Sequence, residues 1–352
     1  MRNILKDMCM LNGIPGNERE VRKYMTDQMQ GKAEVSYDGL GSIIGLKVGN
    51  EKGPKIMVAG HMDEVGFIVT TITDEGYIKF TPAGGWWGQV MLAQQLDITT
   101  GKGELIRGVI GAKAPHILTA EERAKPVDMK TMFLDVGVKD KEEAEKLGIK
   151  PGDMVTPYIE YKELANPKYL LGKAWDNRVG CAAAIEVLEN VQDKKHDNLL
   201  YAVGTVMEEV GLRGATTSAH KINPDIGIAL DTTIAYDFPG GSKNTVLGNG
   251  VGIMIKDGSM VGHKGLRDFT VALCEENDIK YQLTYLERGG TDGGAMHMAL
   301  DGAPSIALCL PVRYLHSHTS IVHKDDYEAM VKLVTLMVKK LDQNTVDKIT
   351  FG

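Results

Sequence analysis

Cysteine is scarce in this chain. Its 352 residues include four cysteines, Cys9, Cys181, Cys274 and Cys309, none in a CxxC pair. That spacing speaks against a disulfide framework or a thiolate zinc site and fits a reducing cytoplasm. Aromatics are also few, at 6 %, and Trp86, Trp87 and Trp175 are the only tryptophans. This weighs against a protein that stacks sugars or bases. No run approaches the roughly 18 apolar residues of a membrane-spanning helix, and residues 1–7 are too charged for a secretory signal. Positive charge is in deficit as well: the net charge of -7 disfavours nucleic acid as a partner. The expectation is a cytoplasmic protein with neither a membrane nor a nucleic-acid partner.

What is present is ordinary globular material, 43 % hydrophobic and 25 % charged, with 41 glycines. At about 150 residues per domain the length suggests about two domains. Residues 1–40 read as helix, loop, helix, with Asn17 as an N-cap and Glu20 three residues on. Strand-length apolar runs follow at 41–48 and 55–59. From 66 to 161 the texture changes to short strand-like segments at 67–72, 77–81, 95–100, 104–111 and 131–136, with one clear helix at 141–147. This is the pattern of a small β-barrel or sandwich. After 171, helices and strands alternate. Helices are expected at 177–191, 212–222, 265–277, 293–300 and 326–341, and strands at 199–206, 226–230, 250–255, 281–286 and 305–310. Such alternation predicts an α/β domain with a mostly parallel sheet covered on both faces. The expected division is 1–66 and 164–352 for the α/β domain and 67–163 for an inserted β-barrel.

Five polar clusters punctuate this alternation. Four follow strands: Gly60-His61-Met62-Asp63-Glu64, Met207-Glu208-Glu209-Val210-Gly211, Asp231-Thr232-Thr233 and Arg313-Tyr314-Leu315-His316-Ser317-His318. The fifth, Ala174-Trp175-Asp176-Asn177, opens a helix. Ligands in open α/β sheets bind beyond the carboxyl ends of the strands, so these clusters can converge. Histidine, aspartate and glutamate form a nitrogen and oxygen donor set suited to Zn²⁺ or Co²⁺. The set exceeds what one ion needs, and a carboxylate shared between two ions is economical. In extended chain His61 and Asp63 face the same way, so Asp63 can accept the second ring N–H of His61. The side chains of Glu208 and Glu209 diverge, which lets one bind metal while the other serves as general base.

Each cluster alone has a plainer reading. A single His after a strand usually has an ordinary hydrogen-bond partner, an Asp opening a helix is usually a cap, and adjacent glutamates usually lie at a solvated helix start. Their recurrence singles them out. Most of the remaining histidines read as structural: His196, His220 and His263 exposed, His297 packed or solvated and His323 at a helix entry; His116, in the insert, either borders the site or packs. Spacing does not choose between His316 and His318. Arg288-Gly289-Gly290-Thr291-Asp292-Gly293-Gly294 lacks the Lys-Ser/Thr of a phosphate loop and reads as a tight strand-to-helix turn.

Together with Lys173-Ala174-Trp175-Asp176-Asn177-Arg178 and Arg288-Gly289-Gly290-Thr291-Asp292, these clusters resemble, in order and over essentially the whole chain, the dinuclear metallo-aminopeptidases that build tetrahedral particles. Glutamyl aminopeptidases, deblocking aminopeptidases and proteins labelled endoglucanase M belong to that group. The resemblance implies a phosphorylase/hydrolase-like three-layer α/β domain interrupted by the β-barrel. It implies two divalent ions, Zn²⁺ or Co²⁺, the first on His61, Asp176 and Asp231 and the second on Asp176, Glu209 and His316. Glu208 would be the catalytic base and Asp63 the partner of His61. It also implies short peptide substrates and a homo-oligomer, a dodecamer built from dimers through the insert. Three alternatives are an endo-acting glycosidase with two carboxylates, a di-metal deacylase of N-acyl amino acids, and a non-catalytic assembly protein. For an acidic N-terminal residue, Lys256 and Arg288 are the candidate selectors, and a neutral aliphatic preference is equally compatible with the sequence.

Overall fold

The computed structural model describes residues 3–192 and 195–352. Two helices, α1 (Ile4–Met10) and α2 (Arg19–Met29), precede strands β1 (Glu34–Tyr37), β2 (Ile43–Val48) and β3 (Lys55–His61). The chain then enters β4 (Gly66–Ile72), β5 (Ile78–Ala83), β6 (Gln95–Thr99), β7 (Leu105–Gly111), β8 (Phe133–Asp135) and β9 (Met154–Pro157), with short helices α3 (Ala120–Arg123) and α4 (Lys141–Lys146) before and after β8. It returns through β10 (Lys162–Glu163) and β11 (Tyr169–Gly172) to α5 (Trp175–Asn190), β12 (Leu199–Thr205), α6 (Arg213–Ile222) and β13 (Ile226–Ile234). The last elements are β14 (Val251–Lys256), α7 (Lys264–Glu276), β15 (Tyr281–Tyr285), α8 (Gly293–Met296), β16 (Ser305–Val312), β17 (Ser320–His323), α9 (Lys324–Lys340) and α10 (Gln343–Phe351).

Eight strands form one sheet in the order β1-β2-β12-β3-β13-β16-β14-β15. Its centre, β12-β3-β13-β16, is parallel, and β1, β2 and the β16–β14 pair supply the antiparallel joins. The central strands are continuous apolar runs because both faces are covered. One face packs on α5 and α9, whose Val179, Ile185, Leu188, Met330, Val334 and Met337 share a core with Ile56 and Leu308. On the other face, Ala219 and Ile222 of α6 and Met296 of α8 pack against Met57, Ala59 and Val203. This is the expected three-layer α/β arrangement. Strands β4 to β9 close into a separate antiparallel barrel, in the order β4-β5-β8-β7-β6-β9, around Phe67, Ile78, Leu96, Ile98, Leu134 and Val155.

Several details depart from expectation. Asn17 is not the cap of α2; Glu18 occupies that place and makes no side-chain cap bond. β13 continues to Ile234, so Asp231 lies inside a strand, opposite Cys309 of β16. α8 stops at Met296, and α10 follows the periodic helix that was expected to close the chain. The antiparallel sheet β10-β11-β17 escapes sequence reading because its strands are two to four residues long. It matters for the site: Gly172 pairs with Ser320, so Asp176 and His316, each four residues from that pair, emerge at one end.

Candidate metal centre

His61 is the last residue of β3 and is 1 % exposed. Glycine permits its placement. A Cβ on Gly60 would lie 2.4 Å from the carbonyl carbon of Gly180, so α5 runs backbone against backbone past the strand end. The first turn of α5 is distorted. Asp176 sits at φ -82°, ψ 102°, its peptide bond to Asn177 is cis, and Ala174 is left-handed at φ 54°. The capping work falls to Asn177, whose Oδ1 accepts from Gly180 N–H at 2.9 Å while its Nδ2 donates to the Leu230 carbonyl at 2.7 Å. Asp176 is thereby free of a capping role, and its carboxylate faces the open end of the sheet.

The two histidines approach that carboxylate from opposite sides. Nε2 of His61 lies 3.1 Å from Asp176 Oδ1, and Nε2 of His316 lies 3.4 Å from Asp176 Oδ2. In each ring Nδ1 meets a backbone carbonyl at 3.0 Å, that of Asp63 for His61 and that of Gly85 for His316. With Nδ1–H donating, Nε2 is the nitrogen that offers a lone pair once its proton is displaced by a bound ion. Asp231 Oδ1 stands 3.9 Å and Glu208 Oε2 3.8 Å from His61 Nε2, and Glu209 Oε1 stands 3.5 Å from His316 Nε2. Ligand atoms of His61, Asp176 and Asp231, of Asp176, Glu209 and His316, and of His61, Glu208 and Glu209 each lie within 4.8 Å of one another. Geometry therefore groups the residues but leaves Glu208 open as ligand or base.

The electrostatics fit cation binding. Burial pushes Glu209 up to about 7, with Asp176 adding repulsion, and it raises Glu208 and Asp231 well above the ordinary carboxylate range despite nearby His61. Burial works against charged His61 and His316, yet the carboxylates outweigh it, so His61 rises and His316 reaches about 9. For Asp176 burial is overcome by the two imidazoles, which hold its carboxyl low. Glu209 Oε1 is buried and has no hydrogen-bond partner. Crowded carboxylates, two imidazole lone pairs and an orphaned oxygen are a donor set that divalent ions satisfy. The group opens into a cavity of about 890 Å³ whose walls include Leu212, Ile234, Ser259, Leu286 and Arg288.

The structure brings all seven sequence-identified site residues to this end of the sheet, with Asp63 one step behind. Its Nδ1 contact with His61 is made by the backbone carbonyl. The carboxylate, 3.6 Å from that nitrogen, instead accepts the N–H groups of Glu208 and Glu209 at 3.1 and 3.0 Å. Of the other histidines, His196 departs from expectation: it is buried and bonded to Asn198 at 2.9 Å, whereas His220 and His116 are exposed. His263 also departs from expectation, being a half-buried cap of α7 rather than exposed, and His323 is a buried cap at the helix entry where it was expected. His318 points away from the donors and packs edge-on to Trp86, and burial holds it down at about 4. Lys256 is exposed and is not a wall of the cavity, unlike Arg288. The four cysteines are free and buried. Sequence reading missed the buried ionic group beside the site, in which Glu64 meets Lys173 at 2.6 Å and Arg178 at 3.3 Å. Two cations flanking Trp175-Asp176-Asn177 were its signal.

An α/β sheet whose carboxyl edge sets two histidines against one shared carboxylate is the arrangement of a metal-dependent hydrolase's centre, and the family match gives that class. The chain belongs to the M42 glutamyl aminopeptidase family, whose profile it matches over residues 41–333. The family comprises metal-dependent aminopeptidases, hydrolases of the EC 3.4.11 type. The chain is 35 % identical to the glutamyl aminopeptidase of Lactococcus lactis over 98 % of both chains. It is similar in structure to a TET aminopeptidase from a marine-sediment Thaumarchaeota archaeon, with TM-score 0.96, 39 % identity and 98 % of each chain covered. It also resembles the TET1 peptidase of Pyrococcus horikoshii, which assembles into a tetrahedron or an octahedral shell, with TM-score 0.87, 30 % identity and 96 % and 99 % coverage. Among the described residues no helix is long and apolar enough to cross a membrane.

Proposed function

We propose that this protein removes the N-terminal residue from short peptides with two divalent ions, Zn²⁺ or Co²⁺, and Glu208 as general base. The observation that carries this reading is Asp176, whose two oxygens face the Nε2 atoms of two different histidines. His61, Asp176 and Asp231 would hold one ion and Asp176, Glu209 and His316 the other. When bound, such ions acidify a water molecule and polarise the scissile carbonyl. Glu208 takes the proton from the attacking water and passes it to the leaving amine. Asp63 orients both partners, with its carbonyl fixing the tautomer of His61 and its carboxylate holding the backbone of Glu208 and Glu209. The free α-amino group of the substrate, a cation, enters among these carboxylates. Arg288 is the one Lys or Arg on the described wall of the cavity and selects an acidic N-terminal side chain.

The insert, 67–163, serves as lid and assembly surface. Its Gly85 carbonyl accepts from His316, and Trp87, Leu105 and Ile117 are 63 %, 52 % and 67 % exposed. These side chains are apolar area that a subunit contact would cover, in keeping with a homo-oligomer, a dodecamer built from dimers, in the reducing cytoplasm where buried free thiols persist. The glycosidase reading is weaker, because the described wall of the cavity offers no Trp, Tyr or Phe on which to stack a sugar. The test is bound-metal content followed by turnover of Glu, Leu and Lys anilides and their N-acyl forms, with and without chelator. Free-amine substrates should be cleaved and chelator should abolish it; cleavage that survives chelation, or is confined to acylated substrates, overturns the assignment. Glu208→Gln should keep its metal and lose most turnover; full activity there overturns the assigned base.

A further inference from the structure

The loop that carries Glu208 and Glu209 folds back on itself. Gly211 and Leu212 N–H donate to the Glu208 carbonyl, Arg213 N–H to Met207 and Gly214 N–H to Val206. The carbonyls of Val206, Met207 and Glu208 are served from within, but the amides of Met207, Glu208 and Glu209 rely on carboxylates brought from elsewhere. Asp63 accepts from Glu208 and Glu209. Met207 N–H donates to Oε1 of Glu18 at 3.1 Å, and Gly16 N–H donates to the same oxygen at 2.8 Å. Glu18 is 3 % exposed and stands at the head of α2, 189 residues away in sequence. Met207 has φ 54°, a left-handed conformation that a non-glycine residue keeps only when its surroundings impose it.

Glu18 ends a segment, 11–18, that also grips the other ligand-bearing stretches. The Gly13 carbonyl accepts from Glu64 N–H at 2.9 Å, next to Asp63. Lys173 Nζ donates to the Leu11 carbonyl and Asn12 Oδ1 at 3.0 and 2.9 Å. The Arg178 guanidinium donates to the Leu11 and Gly13 carbonyls at 2.8 and 3.2 Å. Lys173 and Arg178 stand on either side of Asp176. Among the described hydrogen bonds, Glu18 is what extends this clasp to the Glu208 loop.

We infer that Glu18 is a positioning residue for the reaction: by holding the Met207 amide it fixes the backbone from which Glu208 projects, and it works by reach, not by charge. This rests on the reading of Glu208 as the base. One oxygen accepts both amides, so a neutral amide oxygen in the same place does the same job. A carboxylate one methylene shorter cannot reach. Displacement of a catalytic group by about 1 Å costs up to about 100-fold in rate.

The test uses the full, metal-loaded chain as Glu18→Gln, Glu18→Asp and Glu18→Ala, with kcat, KM, bound metal and thermal midpoint measured for each. Gln should restore most of kcat, whereas Asp and Ala should lose about tenfold or more in kcat with KM and metal content unchanged. Retained kcat in Asp with loss in Gln would make charge the cause and overturn the inference, as would equal activity in all three. A kcat that falls only in step with bound metal or thermal midpoint would reduce Glu18 to a structural residue. If the Ala variant does not fold, the Asp and Gln pair decides the matter. Glu208→Gln, run alongside, separates the two readings: its full activity overturns the base, whereas its loss with Glu18 variants unaffected overturns the positioning role alone.

Discussion

Arg288 is the one Lys or Arg on the described wall of the cavity, which it shares with His61, His316, the carboxylates and small or apolar groups, so in the proposed reading its charge would act on the side chain that the substrate presents there. It is exposed, so removing it leaves no buried charge unpaired. Arg288→Ala should therefore fold normally and lower the ratio of glutamyl to leucyl anilide kcat/KM by about tenfold, the order of one charge-assisted hydrogen bond. An unchanged ratio would remove Arg288 as selector. At this scale much of the centre was legible in the sequence. His61, Glu208, Glu209, Asp231 and His316 follow apolar runs and Asp176 opens a helix, and chemistry at a sheet's carboxyl edge needs that placement. What was not legible is direction. His316 and His318 are equivalent by spacing, and only the contact of Nδ1 with the Gly85 carbonyl of the insert turns His316 inward. Glu18 was invisible for a related reason, since an acid at a helix start reads as a cap until its distant partner is seen.

Elements position these residues by close approach. A Cβ on Gly180 would lie 2.5 Å from both the Leu230 carbonyl oxygen and Asn177 Oδ1, inside the contacts that hold α5 against β13 and beneath Asp176. Backbone cannot yield there without moving the helix. Gly180→Ala should cost about 1–3 kcal/mol of stability, the range for overpacked cores. It should also weaken metal binding, because α5 carries Asp176. Denaturant unfolding and metal titration check both, and a variant with unchanged midpoint and affinity would show the approach to be unimportant. The long elements were readable because α9 repeats its apolar period over several turns and the central strands are unbroken apolar runs of strand length. β11 and β17 were not, because a four-residue strand holds too few repeats to distinguish it from loop. Yet their register brings Asp176 and His316 together. Asp231 was expected just past a strand; the strand runs on because Thr232, Thr233 and Ile234 keep pairing with β16.

At the scale of the whole molecule the fold concentrates negative charge at its interior edge. Stripped of cations, that edge opposes folding in a pH-dependent way. Burial and Asp176 raise Glu209 from 4.5 to about 7, and burial raises Asp292 from 3.8 to about 6. Between pH 4 and those values the unfolded chain has released protons that the native state keeps, so native stability falls as pH rises. The carboxylates that overcome burial at His316 raise it from 6.5 to about 9, and the native state again holds the extra proton between those values, so stability falls there too. Both windows have the same sign. Metal binding has the opposite sign, because its ligands must be deprotonated and affinity grows with pH. A ligand that binds only the folded state stabilises it further as affinity rises. The drop in thermal midpoint caused by chelator should therefore widen steadily from pH 5 to pH 8. His61→Ala and Asp231→Ala should narrow the gap at pH 8 by weakening the bound state. Thermal unfolding across that range, with and without chelator, measures it directly. A gap that is constant or shrinks with rising pH would mean that these carboxylates and imidazoles do not hold the ions.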